Sequence, residues 1–287
     1  MYSSRQTMVQ APDGVRLSVR EWGRTDGAAI VFVHGWSHSQ LAFLRQFRGE
    51  LAESFRLVSY DLRGHGESDH PDTLDAYNQG TIWGDDLRAV IEALQLEQVI
   101  LVGWSFGGRV IAQYVHQFAA DRVAGLSFVA VAAFADPDQP VRGPDACGEL
   151  LLSSNLEDTI AGAELFVRRC ARIPLSDADF ALMLGVVMSA GMKARQGSSQ
   201  WRVDYTETFR SLRIPTLVVH GRQDGMTLPH AAEAIAAKVA GARVAWFEAC
   251  GHMPFWEEPE RFNAELSSFA RDCYADGAPV ERLRRTN

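Results

Sequence analysis

The sequence predicts an α/β fold: a mostly parallel sheet covered by helices and interrupted once by a long helical insertion. Three observations predict it. Apolar runs at 28–33, 56–60, 98–102, 123–131 and 215–219 are short, continuous and rich in Val, Ile and Leu, as strands buried on both faces are. Between them, 79–96, 106–118 and 228–239 carry apolar residues at three- and four-residue spacing, which marks helices with one face on a core. Strands and helices in alternation imply parallel strands joined by helical crossovers. The third observation is a break in that rhythm, since 136–211 reads as loop and several helices without a buried strand.

Taken in order, the chain opens with a short strand at 7–10 and a turn at Asp13-Gly14. Residues 15–22 follow, alternating apolar and polar, as an antiparallel strand with one wet face does. The buried strands and helices then alternate to residue 135. There Asp136-Pro137-Asp138-Gln139-Pro140 cannot extend a sheet, because proline has no N–H for the ladder. The expected division is a core of 1–135 and 212–275 with an eight-stranded sheet, and a helical cap of 136–211 inserted between core strands, longer than an ordinary crossover needs. A strand at 243–248 and a helix at 259–273 close the core, and the arginine-rich tail 276–287 is expected to fray.

Composition narrows the partners. A chain of 287 residues, 47% of them hydrophobic, suits one large domain. A formal charge of -8 argues against nucleic acid and anionic membrane, both of which need a basic face, and leaves a small molecule as the expected partner. No apolar run approaches the roughly 18 residues of a membrane span, and residues 1–13 lack the basic start and apolar stretch of an export signal. A soluble, cytoplasmic protein is expected. Cys147, Cys170, Cys250 and Cys273 are scattered without ligand spacing, so they read as reduced thiols, and no metal or cofactor is expected. Cys250, two residues from His252, reads as a small apolar wall residue.

The chemistry begins at Gly103-Trp104-Ser105-Phe106-Gly107-Gly108, a G-x-S-x-G motif directly after a buried strand and directly before a helix. So tight a turn crowds the glycine positions and pushes Ser105 outward as a nucleophile. It also sets the Phe106 N–H at a helix N-terminus, where the dipole favours a developing oxyanion. Serine needs a base. Of eight histidines, His252 stands in Ala249-Cys250-Gly251-His252-Met253-Pro254, a loop after the last strand able to present its ring at the sheet's carboxyl edge. His34, His38, His65, His70, His116 and His230 read as turn, loop or helix residues. For a nucleophile of this kind the chain order runs Ser, acid, His. Asp224, in the turn after 215–219, is the expected orienting acid, with Asp136 in reserve. His34-Gly35-Trp36 after the strand 28–33 supplies a second oxyanion donor in the Trp36 N–H. Trp104, Phe166, Phe180, Met183, Met188 and Trp201 are candidates for the substrate pocket, although residues of this kind also make ordinary core.

With these residues in place the chain resembles the α/β-hydrolase superfamily across 7–273. The evidence is His34-Gly35-Trp36, Asp61-Leu62-Arg63-Gly64-His65-Gly66-Glu67-Ser68, the Ser105 motif, and the Asp224 and His252 segments. The pairing of His-Gly-Trp with Gly-Trp-Ser is similar to the carboxylesterases of pimeloyl-carrier-protein methyl ester, and Gly-Trp-Ser by itself is similar to N-acyl-homoserine lactonases of this fold. The resemblance implies Ser105, Asp224 and His252 as a triad, Trp36 and Phe106 as oxyanion donors, and hydrolysis of a carboxylic ester or lactone. Arg168, Arg169 and Arg172 would offer an acidic carrier protein a basic face, though a solvated helix face is the simpler reading. Two other functions fit the same fold. Cofactor-free dioxygenases of hydroxyquinolone-type heterocycles share a His-Gly-Trp with a nearby histidine, here His38. They use the late histidine, here His252, as base, and their acid partner follows the strand after the elbow helix, where this chain has the apolar run 128–133. A ligand receptor without turnover is the third reading.

Overall fold

The computed structural model describes residues 4–133, 141–144 and 148–277. Asp136 and Cys147 lie outside these. The strands are β1 (Arg5–Gln10), β2 (Arg16–Gly23), β3 (Ala29–Val33), β4 (Arg56–Tyr60), β5 (Val99–Trp104), β6 (Val123–Val129), β7 (Thr216–Gly221) and β8 (Arg243–Phe247). They form a single eight-stranded sheet in the order β1-β2-β4-β3-β5-β6-β7-β8. β2 runs antiparallel to both of its neighbours and every other pairing is parallel. The mostly parallel α/β sheet of the sequence reading is what the chain builds.

The reason is burial. Every residue of β3, β5 and β7 is buried, because core clusters pack on both faces of the sheet. One holds Trp83, Phe106, Tyr114, Phe128 and Trp201, and the other holds Phe32, Phe47, Trp104, Phe255 and Phe269. A strand with no wet face has no use for alternation.

Several ends differ from expectation. The helix expected over 79–96 runs only Ile82–Ala93, because Gly80 takes a positive φ of 36° before it and Gln95 a φ of 52° after it. β6 stops at Val129, short of 131, since Ala130 turns left-handed at φ 51°. The last helix continues past Cys273 to Gly277. Between β6 and β7 lie the insertion helices Leu156–Cys170, Asp177–Met188, Met192–Gln200 and Thr206–Ser211, with a 3-10 turn at Leu150–Leu152. Among the described residues no helix is long and apolar enough to cross a membrane.

Strand order places the site. β3 and β5 are neighbours, with Val33 beside Gly103, and the chain leaves them toward opposite sides of the sheet. Their carboxyl ends therefore meet at the switch point, where α/β sheets hold ligands.

Candidate functional site

Ser105 follows β5 and precedes the helix Phe106–Phe118 with φ 52° and ψ -114°. A non-glycine residue in that region costs about 1–3 kcal/mol. The turn is held by the Ser105 N–H donating to the Val129 carbonyl at 2.8 Å and the Gly108 N–H donating to the Ser105 carbonyl at 3.0 Å. The flanking glycines are sterically required: a Cβ on Gly103 would lie 2.6 Å from the Gly107 carbonyl oxygen, and one on Gly107 would strike the Val33 carbonyl. The helix begins at Phe106, so its N–H has no intrahelical partner.

Asp224 lies in the turn after β7, 2% exposed. Its Oδ1 accepts the Met226 and Thr227 N–H groups at 2.8 and 2.9 Å. Its Oδ2 faces His252 Nδ1 at 2.8 Å and His220 Nε2 at 3.2 Å. Burial pushes the carboxyl up, but the imidazoles of His252 and His220 outweigh it and hold the group well below the ordinary carboxylate range. An ionised Asp224 requires the His252 proton on Nδ1, leaving the lone pair on Nε2.

The His252 loop is fastened on three sides. The indole N–H of Trp104, the residue before Ser105, donates to the His252 carbonyl at 2.8 Å. The His252 N–H donates to the Cys170 carbonyl at 2.9 Å, at the end of the first insertion helix. Glu257 completes the set: Oε1 accepts Gly251 N–H at 2.9 Å and Met253 N–H at 3.2 Å, while Oε2 accepts Arg172 N–H at 2.7 Å and Ile173 N–H at 2.8 Å. Cys250 donates its thiol to Glu258 Oε1 at 3.2 Å, and burial followed by the acidic neighbours pushes the thiol up, away from the reactive thiolate.

The loop after β3 brings Trp36 alongside. Its indole N–H donates to the Arg195 carbonyl at 3.2 Å, and its ring meets Phe166 edge-on at 5.6 Å. His34 is structural: Nδ1 donates to the Gly35 carbonyl and Nε2 accepts the Leu62 N–H, both at 2.9 Å. Asp61, from the second motif, anchors the next turn by accepting the Gln40 N–H at 2.8 Å and the Glu67 N–H at 2.9 Å. His38, read from sequence as a residue of a polar loop, is buried instead. Its Nδ1 donates to the Trp36 carbonyl at 2.9 Å and its ring packs on Trp104 at 4.5 Å. Burial lowers His34 and His38 to about 3, so both are neutral in the folded protein.

The pocket candidates divide. Trp104, Phe166 and Met183 are buried in one cluster, with Phe180 and Met188 packed against it. Phe180 lies under the Arg168 guanidinium at 4.2 Å. Trp201 sits in the other cluster, against Phe106 at 5.6 Å and Trp83 at 6.1 Å, with the Arg109 guanidinium 4.8 Å above its ring. Three side chains of the site escaped the sequence reading: His220, Glu257 and Arg195. Only His220 left a local signal, four residues before Asp224 at the end of a strand. Among the described residues no group of three or more His, Cys, Asp or Glu side chains is placed to hold a metal ion.

Asp224 and His252 form a buried carboxylate–imidazole pair, and the Trp104 indole N–H ties the His252 loop to the strand-to-helix turn of Ser105. Residues 30–265 match the Alpha/beta hydrolase family, and the chain belongs to that family. It is similar to a non-heme haloperoxidase of Rhodococcus erythropolis, 30% identical over 91% of this chain and 98% of the relative. A bifunctional esterase/perhydrolase of Acinetobacter calcoaceticus is 28% identical over 92% of this chain and 99% of that one. The crystal structure of an esterase from Rhodococcus sp. ECU1013 superposes with a TM-score of 0.86 at 27% identity, covering 93% of this chain and 99% of that chain.

Proposed function

We propose that the chain hydrolyses a carboxylic ester or lactone through an acyl-enzyme on Ser105. The observation that carries the reading is the 2.8 Å bond from His252 Nδ1 to the buried Asp224 carboxylate, which fixes Nε2 as a proton acceptor. Ser105 Oγ attacks the carbonyl carbon while His252 Nε2 takes its proton. The Trp36 and Phe106 N–H groups receive the oxyanion. His252 then gives the proton to the leaving alkoxide, or to the opened ring oxygen of a lactone, and the acyl group stays on Ser105. Water attacks the acyl-enzyme, again losing its proton to His252, and the acid departs as Ser105 is restored. Trp104, Phe166 and Met183, with Phe180 at the edge, form the acyl wall, and Trp201 belongs to the core behind Phe106.

The perhydrolase and haloperoxidase names of the relatives favour one side reaction. Hydrogen peroxide attacking the same acyl-enzyme gives a peracid, which oxidises halide. A panel of acyl esters and lactones of graded length tests the main reading. Wild type should turn over one member and bind a fluorophosphonate covalently, and Ser105→Ala should do neither while keeping its melting temperature. Turnover retained in Ser105→Ala would refute it. Oxygen uptake with a hydroxyquinolone, undiminished by a phosphonate, would install the dioxygenase reading instead, and phosphonate labelling without steady-state turnover the receptor.

A further inference from the structure

Among the contacts of the insertion with the loop after β3, which include Phe166 on the Trp36 ring and the Ser37 hydroxyl on the Val187 carbonyl at 3.5 Å, one comes from a basic side chain. Arg195, on the helix Met192–Gln200, is 3% exposed. Its Nε donates to Ser37 Oγ at 2.9 Å and its Nη2 to the Val187 carbonyl at 2.8 Å, while its own carbonyl accepts the Trp36 indole N–H. Both residues 36 and 37 are thus held by one residue of the insertion. Ser37 needs holding, for its φ of 59° is left-handed without being glycine.

The charge on Arg195 makes this arrangement unusual. Among the described residues no carboxylate pairs with it, and burial alone lowers its pKa to about 10. The same chain shows what a paired buried arginine looks like: Arg63, 1% exposed, meets the buried Asp86 through Nε at 2.7 Å and Nη2 at 2.6 Å. A buried cation bonded only to neutral oxygens is a poor choice for stability, and an apolar side chain of similar volume is commonly as good or better. The fold by itself therefore gains little from a charged side chain at this position.

We propose that Arg195 is a positioning residue for the oxyanion donor, locking Trp36 and Ser37 so that the Trp36 N–H stays aimed at the developing charge; this rests on the esterase reading above. Arg195 touches no reacting atom. It fixes from the insertion side a peptide that the core side leaves in a strained turn. Complete loss of an oxyanion donor costs about 10²–10³ in kcat, so a loosened one should cost roughly ten- to a hundredfold.

The test is Arg195→Met, Arg195→Lys and Ser37→Ala in the full chain. Arg195→Met should keep or raise the melting temperature and leave KM within about threefold, while kcat falls at least tenfold. Arg195→Lys should restore part of the loss. Ser37→Ala should act in the same direction, and the double variant Ser37→Ala/Arg195→Met should be no slower than Arg195→Met alone, as for two residues sharing one contact. Affinity for a trifluoromethyl ketone, whose adduct needs the oxyanion hole, should fall in step with kcat. A kcat within twofold of wild type in Arg195→Met would overturn the proposal. So would kcat and melting temperature falling together without rescue by lysine, which would make Arg195 an ordinary structural residue. Absence of Ser105-dependent turnover in the wild type would instead sink the functional reading, and this proposal with it.

Discussion

Replacing Asp224 by asparagine tests the proposed triad at its most constrained atom. An amide has one oxygen, and the structure dictates where it goes. Oδ1 accepts two backbone N–H groups, from Met226 and Thr227 at 2.8 and 2.9 Å, so an NH2 in that position would oppose two donors at once. The amide oxygen takes it, and the NH2 is left facing His252 Nδ1. That nitrogen must now accept, so the ring proton moves to Nε2, the atom that receives the Ser105 proton in the proposed reaction. Asparagine in this role lowers kcat by about 10⁴ in the best-studied serine triad, which is roughly 5–6 kcal/mol at 1.36 kcal/mol per decade. The amide also faces the His220 Nε2 proton, which donates to the Thr227 carbonyl at 2.8 Å; with that repulsion the fold should lose about 1–3 kcal/mol. Initial rates on the best ester of the panel, with urea unfolding as the control, measure both. A kcat within tenfold of wild type, in a protein shown to be folded, would refute the tautomer argument.

Two further outcomes follow from the surroundings of the site. Glu257→Gln puts an amide NH2 against one of two pairs of N–H donors, so it should cost about 2–4 kcal/mol by urea titration and lower kcat by loosening the His252 loop; unchanged stability and rate would show that the four bonds are dispensable. The buried histidines make stability fall in acid: His34 and His38, lowered to about 3 in the folded chain, take up protons near 6.5 once unfolded, so the unfolded state binds more protons between those limits and folding weakens as pH drops. Each contributes about 1.4 kcal/mol between pH 7.5 and 5.5, together about 3 kcal/mol, a window above the carboxylate range. A flat or rising urea midpoint on acidification over that interval would contradict the burial of these rings.

Much of the fold was legible because it is written locally. The runs at β3, β5 and β7 are continuous since both faces are covered, and a run buried on both sides looks the same in sequence and in space. Ser105, Asp224 and His252 stood out because each follows a strand and has glycine nearby, where the chain turns at the sheet's edge. Backbone signs that side chains do not announce were missed. Ala130 and Gln95 end their elements in left-handed turns without glycine, a choice made by surrounding contacts. Partnerships across the chain were missed for the same reason. Arg195 meets Ser37 at a separation of 158 residues, and on paper it is one of two cations, with Lys193, in a polar helix. Glu257 sits five residues after His252 in a stretch that reads as a helix start; that its two oxygens face different segments follows only from folding. His38 looked polar because its neighbours in sequence are, whereas its neighbours in space are Trp104 and Phe166.

The bond from the His252 N–H to the Cys170 carbonyl, with the two bonds of Glu257 to residues 172 and 173, has a meaning for engineering. Insertions of this kind invite transplantation, as if specificity were a detachable module on a common chassis. Here the graft junction would fall on the proposed general base itself. A donor segment that ended its first helix one residue early or late would present a different carbonyl and different amides to the His252 loop. A chimera would then lose rate for reasons unrelated to its new pocket. The safe splice in this chain retains Cys170 to Ile173 with the host and exchanges only what lies on either side.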